Sequence, residues 1–308
     1  MTRTAVLCTL VILGGIAAGI TSGCSDPAPE IGADGRPIFT EAQQARLTIH
    51  PVPGKDGLYI IPGLDGAMSG GNVAVRVTGD GVILVDDKFP YSFDFITEQV
   101  ASVTAEPIRY VLNTHHHGDH AGSNADFMPE ARVIGHRNAR ANMIKNEQGG
   151  APPIIFSRQA GVFLGDAEAR AHHFGRGHTN GDSVIYFPDL RAIHTGDLFI
   201  QGQRMDGSTL SPFMDYGNGG SGAEWAATLD GVLELDFDTV IPGHGPVLTK
   251  DDVRAFRDKF EQLTSRMNGL IDSEVSRDDV AEQIDIADLD WPLSEGALQA
   301  LYDELSAV

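Results

Sequence analysis

The sequence predicts an α/β protein in which helices cover β-sheets. Short apolar runs recur along the chain from Leu58, helical patterns separate several of them, and turn-forming Gly and Pro residues lie between them. An amphipathic helix or a sheet is stable only when its apolar side is covered by another element. Strands mixed with helices in this order therefore indicate a layered α/β architecture.

Local patterns predict the individual elements. The candidate strands are residues 58–61, 72–77, 82–85, 108–112, 132–134, 161–164, 167–173, 183–187, 191–194 and 239–241. The candidate helices are residues 93–102, 137–145 and 223–235. Between the second and third strands, Gly79-Asp80-Gly81 predicts a hairpin turn, because Asp-Gly suits the positive φ angles of a tight turn.

The chain divides into four segments. We expect a leader at residues 1–23, a flexible tether at 24–56 with one short helix at 41–47, a main domain at 57–250 and acidic helices at 251–308. In the last segment, five apolar residues recur at helical spacing: Val253, Phe256, Phe260, Leu263 and Met267. Such a stripe predicts that the C-terminal helices pack on the core.

The first residues predict export. An apolar run at residues 5–20 follows Arg3 and is too short to span a bilayer, which is typical of a signal peptide. Thr21-Ser22-Gly23-Cys24 resembles the lipobox of bacterial lipoproteins, although Thr21 stands where that motif has Leu. The resemblance implies that Cys24 is lipidated and anchors the protein at the outer membrane. A plain secretory signal, which would leave a periplasmic protein, is the alternative.

Charge and cysteine content narrow the chemistry. The net charge is -21 and the isoelectric point is about 4.7, so the protein repels phosphate backbones and we expect no nucleic-acid partner. The two cysteines are Cys8 and Cys24, which leaves the mature domain without a disulfide or a thiolate ligand. Any metal site must therefore consist of histidine and carboxylate side chains.

A histidine run follows one predicted strand directly. His115 and His117 are two residues apart, so in extended backbone their side chains share a face and reach one metal ion. Asp119 and His120 follow on a turn that Gly118 permits, and they point to a second position nearby. Four candidate ligands within six residues predict a metal centre.

Three more candidate ligands also follow predicted strands. His178, Asp197 and His244 each lie close to a glycine, as backbone that turns sharply at a crowded site requires. Loops at the ends of a rigid sheet commonly carry functional groups. We expect these three side chains to join the histidine run.

The run H-x-H-x-D-H, followed by a single His, Asp and His, resembles the metallo-β-lactamase superfamily over roughly residues 57–248. The resemblance implies an αββα sandwich with the site at one edge, between the sheets. It further implies that one zinc ion is held by His115, His117 and His178 and a second by Asp119, His120 and His244, with Asp197 bridging the two. Iron or manganese are alternatives to zinc.

The implied activity is hydrolysis of a small-molecule ester, thioester, lactone or lactam. Two zinc ions would share a hydroxide that attacks the acyl carbon, with Asp119 orienting it. The sequence contains no Ser–His or Cys–His arrangement that competes for the role of nucleophile.

The substrate is less well indicated. β-Lactamases of the commonest dizinc subclass have a cysteine where this chain has Asp197, and a substrate-binding lysine where it has Ile200. Asp197 is instead similar to the glyoxalase II and lactonase branches, although the basic glutathione-binding residues of glyoxalase II have no match in the acidic C-terminal segment. Lactam turnover stays open, with Arg204 either a carboxylate anchor or a solvated loop charge.

Two other functions stay open at this point. One is a mononuclear iron oxygenase of the same fold, similar to persulfide dioxygenase, and the other is a membrane-anchored metal-binding protein without activity. Seven matching ligand positions favour two metal ions and hydrolysis over both. The oligomeric state is not predicted.

The remaining histidines and two long loops have open roles. His116 should point away from its neighbours and either pack or support a ligand, and His194 could support Asp197. We expect His50 and His136 to be ordinary, whereas His172 and His173 fit either description. The loops at 62–71 and 205–222 are either lids or ordinary surface loops.

Overall fold

The computed structural model describes residues 29–63, 68–204 and 207–307 of the 308. The predicted leader at residues 1–23 and the predicted lipidation site Cys24 lie outside the described residues. Within the described ranges, no helix combines the length and the apolar composition needed to cross a membrane.

The first large sheet follows a short N-terminal hairpin. The hairpin pairs β1 (Glu30–Ile31) with β2 (Pro37–Ile38). The sheet has seven strands in sequence order: β3 (His50–Pro51), β4 (Leu58–Ile61), β5 (Val73–Thr78), β6 (Gly81–Val85), β7 (Ile108–Leu112), β8 (Arg132–His136) and β9 (Ile154–Phe156). Pairs from β3 to β6 are antiparallel, and pairs from β6 to β9 are parallel. Thr78 pairs with Gly81 across the predicted tight turn, which is confirmed.

The second sheet has six strands, again in sequence order. They are β10 (Gln159–Leu164), β11 (Ala167–His172), β12 (Val184–Phe187), β13 (Ala192–His194), β14 (Thr239–Ile241) and β15 (Leu248–Thr249). Only β13 and β14 pair in parallel, and the helix between them makes that crossover possible. The second sheet therefore also presents the ends of β13 and β14 at one edge.

The helices lie between and after the strands. They are α1 (Glu41–Leu47), α2 (Phe93–Ala101), α3 (Gly118–Ala121), α4 (Asn124–Phe127), α5 (Arg137–Lys145), α6 (Gly222–Leu233), α7 (Lys250–Asp272), α8 (Val280–Gln283) and α9 (Glu295–Ser306).

Three apolar clusters define four layers. Ala74 of β5 belongs to a cluster shared by the two sheets, whereas its neighbours Val73 and Val75 pack with Ile96 and Val100 of α2. The alternation follows from the period of two in a strand, which sends successive side chains to opposite faces. The second sheet packs its outer face against α6 to α9. The order helix, sheet, sheet, helix confirms the predicted αββα sandwich.

The C-terminal helices complete the outer layer. All five predicted stripe residues of α7 are buried, and Phe260 stacks on Trp225 of α6 with ring centroids 4.4 Å apart. Glu304 of α9 accepts a hydrogen bond from the backbone N–H of Ala223, 3.1 Å away, and another from the Ser221 hydroxyl. The last helix thus caps the start of α6.

The segment expected to be a flexible tether contains regular structure in its described part. Helix α1 is present as predicted and begins with a capping box between Thr40 and Gln43. Leu47, Ile49 and Val52 are buried, and β3 pairs with β4. Ordered structure therefore begins before Gly57. Single apolar residues spaced between polar ones carry no period, so the sequence pattern did not predict this packing.

A stacked histidine pair joins the two sheets. His136 ends β8 and its ring lies 4.0 Å from that of His173, which follows β11, with 12° between the planes. His136 Nε2 donates to the carbonyl of Ser157, and Nδ1 accepts from the backbone N–H of Asn138 at the start of α5. Both bonds together require a neutral ring. Burial and the neighbouring His173 lower the pKa of His136 to about 4.

Replacing His136 by Asn should reduce the acid sensitivity of the fold. Because the folded pKa of about 4 lies below the ordinary 6.5, the unfolded chain binds the proton first, and stability falls as the pH drops from 6.5 to 4. Asn keeps an N-cap acceptor but does not titrate. In urea unfolding with metals chelated, the free energy of unfolding should fall more steeply with decreasing pH in the wild type than in His136→Asn. The difference in slope should be up to about 1.4 kcal/mol per pH unit. If the free energy of unfolding depends on pH in the same way in both proteins, His136 does not cause the acid sensitivity.

Candidate metal centre

The ends of four strands bring the predicted ligands together. His115 and His117 follow β7, Asp119 and His120 lie in α3, and His178 lies in the loop after β11. Asp197 lies in a single 3-10 turn (Gly196–Leu198) after β13, and His244 follows β14. All seven residues meet at one edge of the sandwich, between the sheets.

Three imidazoles form a first group of ligand atoms. His117 Nδ1 lies 3.2 Å from His115 Nε2 and 2.8 Å from His178 Nε2. His115 and His178 are almost fully buried. The three nitrogen lone pairs therefore converge on one point, as the alternation of His115 and His117 along extended backbone predicts.

Asp119, His120 and His244 form a second group. His244 Nε2 lies 3.3 Å from His120 Nε2 and 3.2 Å from Asp119 Oδ2, and Asp119 Oδ2 lies 3.6 Å from His120 Nε2. This group has one oxygen and two nitrogens, so it is richer in oxygen than the first.

Asp197 lies between the two groups. Its Oδ1 is 3.1 Å from His120 Nε2 and 3.5 Å from His244 Nε2 in the second group. Its Oδ2 is 3.6 Å from His178 Nε2 in the first group. Each oxygen of the carboxylate thus faces a different group, which is the geometry of a bridging ligand.

The arrangement fits two cations. Ligand atoms about 2.0–2.1 Å from a tetrahedral ion lie about 3.3–3.4 Å apart, close to the separations within each group. Asp197 Oδ1 is buried and accepts no hydrogen bond from the described residues. A buried carboxylate oxygen in that position is costly unless a cation satisfies it. Imidazole nitrogen with carboxylate oxygen suits zinc, iron or manganese.

The electrostatics of the two groups differ. Burial lowers the pKa of His178 to about 4 and that of His115 well below its usual range, so both are neutral and able to ligate. Burial acts in the same direction on His244, but the Asp197 carboxylate overrides it and raises the pKa to about 9. Although burial raises the pKa of Asp197, His244 and His120 lower it well below its usual range.

One buried carboxylate orients ligands of both groups. Asp86 Oδ2 accepts from His120 Nδ1 at 2.8 Å and from the Thr114 hydroxyl at 2.7 Å, and Oδ1 accepts from the Thr114 backbone N–H at 2.7 Å. The oxygen of the same hydroxyl lies 3.0 Å from His115 Nδ1 and accepts a hydrogen bond from it. Asp86 was not among the predicted site residues, although its position directly after strand β6 was an available signal.

The loop after Asp197 supports the first group. His117 Nε2 donates to Asp215 Oδ2 at 2.9 Å, and His178 Nδ1 donates to the carbonyl of Phe213 at 2.6 Å. The backbone N–H of Asp215 returns a bond of 2.9 Å to the His178 carbonyl. The described part of the 205–222 loop is therefore a support for the first group. Buried His116 lies beside it, with Nε2 3.9 Å from Asp215 Oδ2.

Hydrogen bonds hold the described ends of the Gly-rich loop at 62–71 next to the second group. Lys88 is buried and Nζ donates to the carbonyls of Pro62, Ser69 and Gly71. The backbone N–H of Gly71 donates to the Asp119 carbonyl, and a Cβ at Gly71 would lie 2.2 Å from the His120 ring. Only glycine fits there, so the described ends of this loop are part of the site's wall.

His194 supports the turn that carries Asp197. Its Nε2 donates to the Asn72 carbonyl at 3.1 Å, and its Nδ1 accepts from the Gly196 backbone N–H at 3.1 Å. His194 therefore supports the position of Asp197, which was one of the roles considered for it from the sequence. His172 instead stacks on Phe174, and His50 is exposed.

A cavity of about 530 Å³ opens over the ligand atoms. Ligand side chains form its floor, and the wall includes Phe89, Ile200, Arg204, Leu210 and Phe213. Its volume is in the range of sites for small organic molecules. Arg204 lies at this cavity and donates 2.8 Å to the Thr209 carbonyl.

Comparison with known proteins agrees with this geometry. A profile of the metallo-beta-lactamase superfamily matches residues 68–244. The alpha subunit of a 2,4-dinitroanisole O-demethylase from Nocardioides sp. (strain JS1661) is 23% identical over 66% of this chain and 60% of its own length. A probable hydroxyacylglutathione hydrolase from Schizosaccharomyces pombe is 31% identical over 44% of this chain and 52% of its own.

A solved structure shares the fold over most of the chain. The sec-alkylsulfatase Pisa1 from Pseudomonas sp. superposes with a TM-score of 0.65 at 15% identity, covering 92% of this chain and 57% of its own. The chain thus spans between half and two thirds of the length of each of these three proteins.

The chain belongs to the metallo-beta-lactamase superfamily, because the family profile matches more than half of it. This is a superfamily of metal-dependent hydrolases that bind a dinuclear metal centre in the αββα sandwich. The predicted fold and family are thereby confirmed.

The Asp215→Asn variant should weaken the first group selectively. In this variant an uncharged amide replaces the carboxylate that accepts the hydrogen bond from His117 Nε2. Loss of such a partner lowers metal affinity about 10–100-fold. Cadmium NMR of the fully loaded protein should show one nitrogen-rich site perturbed and the oxygen-richer site unchanged. Equal perturbation of both resonances would contradict the assignment of Asp215 to the first group.

Asp86→Asn should weaken both groups. One amide oxygen cannot accept from His120, the Thr114 hydroxyl and the Thr114 backbone at once, so at least one buried donor loses its partner. We expect both cadmium resonances to shift and zinc affinity, measured by chelator competition, to fall about 10–100-fold. Asp126→Asn, at an exposed residue of α4, is the control and should match wild type. A normal zinc affinity in Asp86→Asn would exclude the role.

Proposed function

We propose that the protein is an exported, zinc-dependent hydrolase that cleaves a carboxylic ester, thioester, lactone or lactam. The observation that carries the proposal is Asp197, whose two oxygens face two separate groups of ligand atoms. This placement allows one carboxylate to contact an ion in each group.

The proposed ligand sets follow the two groups. His115, His117 and His178 would hold the first zinc ion, Asp119, His120 and His244 the second, and Asp197 would bridge them. The interatomic distances within each group and the neutral state of His115 and His178 support this assignment. Retention of both groups also favours hydrolysis over the mononuclear iron oxygenase.

Two zinc ions bound in these two groups would lower the pKa of a shared water to about 7 and would polarise a carbonyl oxygen of the substrate. The protein contributes the geometry. Asp119 lies at the cavity floor, 17% exposed, where its carboxylate can accept a hydrogen bond from the attacking water and orient it. Asp86 and Asp215 hold His120 and His117 in fixed orientations, so little reorganisation is needed on binding.

The proposed setting is outside the cytoplasm. The apolar run at residues 5–20 and the lipobox-like residues ending at Cys24 support export, either to the periplasm or to the outer membrane through a lipid anchor. The net charge of -21 supports a small-molecule substrate over a nucleic acid.

The substrate is best approached through a panel. Asp197 in place of cysteine and Ile200 in place of lysine weigh against a β-lactamase of the commonest dizinc subclass. Relatives and fold neighbours carry names that refer to hydroxyacylglutathione, 2,4-dinitroanisole and sec-alkyl sulfate. The panel should therefore contain an aryl ester, a thioester, a homoserine lactone and nitrocefin, with an aryl methyl ether and a secondary alkyl sulfate as contrasts.

Turnover of at least one acyl substrate should depend on zinc and on Asp197. Chelation should abolish the rate, added zinc should restore it, and elemental analysis should find two zinc ions per chain. Asp197→Asn removes a charged bridge between the groups and should lower kcat by about 100-fold or more. The exposed His50→Gln variant should keep wild-type rates.

Three outcomes would overturn the proposal. Chelator-insensitive turnover would remove the metal from the mechanism. A single iron per chain with oxygen consumption would favour the oxygenase. Zinc binding without turnover of any acyl compound would favour a metal-binding protein.

A further inference from the structure

A large apolar side chain lies exposed beside the first group. Phe213 is 60% exposed, and its ring centroid lies 5.8 Å from that of His178 and 6.3 Å from that of His117. An exposed phenyl ring forfeits the stabilisation that burial would give, so its position at a metal centre calls for an explanation.

The backbone holds Phe213 rigidly in this place. Its carbonyl accepts from His178 Nδ1 at 2.6 Å, and two residues on, the Asp215 backbone N–H donates to the His178 carbonyl. On either side of it Pro212 and Met214 are buried, and Met214 packs into the core under α6. The neighbours therefore fix the chain and direct Phe213 outward, into the cavity.

Other apolar side chains share the cavity wall with Phe213. Phe89, Ile200 and Leu210 line the same space of about 530 Å³, and Phe89 is stacked on Tyr91 with centroids 5.3 Å apart. None of these four wall residues offers a side-chain hydrogen bond. Arg204 and Ser211 also line the cavity, but the surface formed by these four apolar residues suits a hydrocarbon or aryl group.

Phe213 places an apolar surface beside the first group, whereas Asp119 and His244 of the second group lie at the other side of Asp197. In a substrate whose leaving group is directed to the second group, the acyl portion would contact Phe213.

We infer that the cavity contains an apolar acyl subsite and that Phe213 determines specificity for it, so the substrates are esters, thioesters or amides of medium-chain or aryl carboxylic acids. The inference rests on the proposed hydrolase function. One methylene group in an apolar pocket discriminates between substrates by about 10–200-fold, and an exposed phenyl ring provides at least that contact area.

Chain-length series test the inference on the zinc-loaded, full-length protein. p-Nitrophenyl acetate, butyrate, hexanoate and octanoate share one leaving group and differ only in the acyl chain. Wild-type kcat/KM should rise along the series, and Phe213→Ser should lower the octanoate-to-acetate ratio about tenfold, mainly through KM. Phe163→Ser removes a 69% exposed Phe on β10 that lies outside this cavity, and it should keep the wild-type ratio.

A binding measurement separates this inference from the activity. Calorimetry with octanoate and acetate should show tighter binding of octanoate to wild type, and the preference should shrink about tenfold in Phe213→Ser. If no acyl substrate of the panel is hydrolysed but octanoate is preferred, the proposed function fails and the subsite stands. The subsite itself would be overturned if Phe213→Ser lowered the affinity for both acids equally. It would also be overturned if the octanoate-to-acetate ratio of kcat/KM were unchanged in that variant.

Discussion

The centre depends on the contacts of one buried carboxylate, that of Asp86. It accepts hydrogen bonds from His120 of the second group and from Thr114, whose hydroxyl in turn accepts from His115 of the first. Asp86 has a φ of +64°, a conformation unfavourable for residues other than glycine, asparagine and aspartate, and its own N–H donates to the Leu112 carbonyl. The junction of β6 and β7 thus sets the spacing of both groups before any ion binds.

Parallel pairing in the two sheets explains why the ligands meet. β6 to β8 run in parallel in the first sheet and β13 and β14 in the second, so the carboxyl ends of neighbouring strands lie at the same edge. His115, Asp197 and His244 each follow one of these strands. The cores on both faces of each sheet keep the strands in register, and the loops above them need only short spans to bring imidazole and carboxylate together.

A layered α/β fold and the seven candidate ligand residues could be predicted from the sequence because those signals are local. A strand, a glycine turn and a histidine or aspartate within a few positions can be read without knowledge of distant contacts. Asp215 has no comparable pattern, and Asp86 follows a strand but has no glycine or histidine next to it. Each is one of 43 acidic residues and gains its role only when the chain brings His117 or His120 beside it. Strand β9 was missed because Ile154 and Ile155 are exposed on an edge and follow two prolines.

Helix α9 caps the start of α6. The part of the chain that folds cooperatively therefore extends beyond the residues that the family profile matches. Glu304 accepts hydrogen bonds from the Ser221 hydroxyl and the Ala223 backbone N–H, a few residues after the loop segment that orients His117 and His178. The final helix is therefore connected through about ten residues of chain to the segment that supports the first group. A boundary drawn where the family profile ends, at residue 244, would cut through one folding unit and not between two.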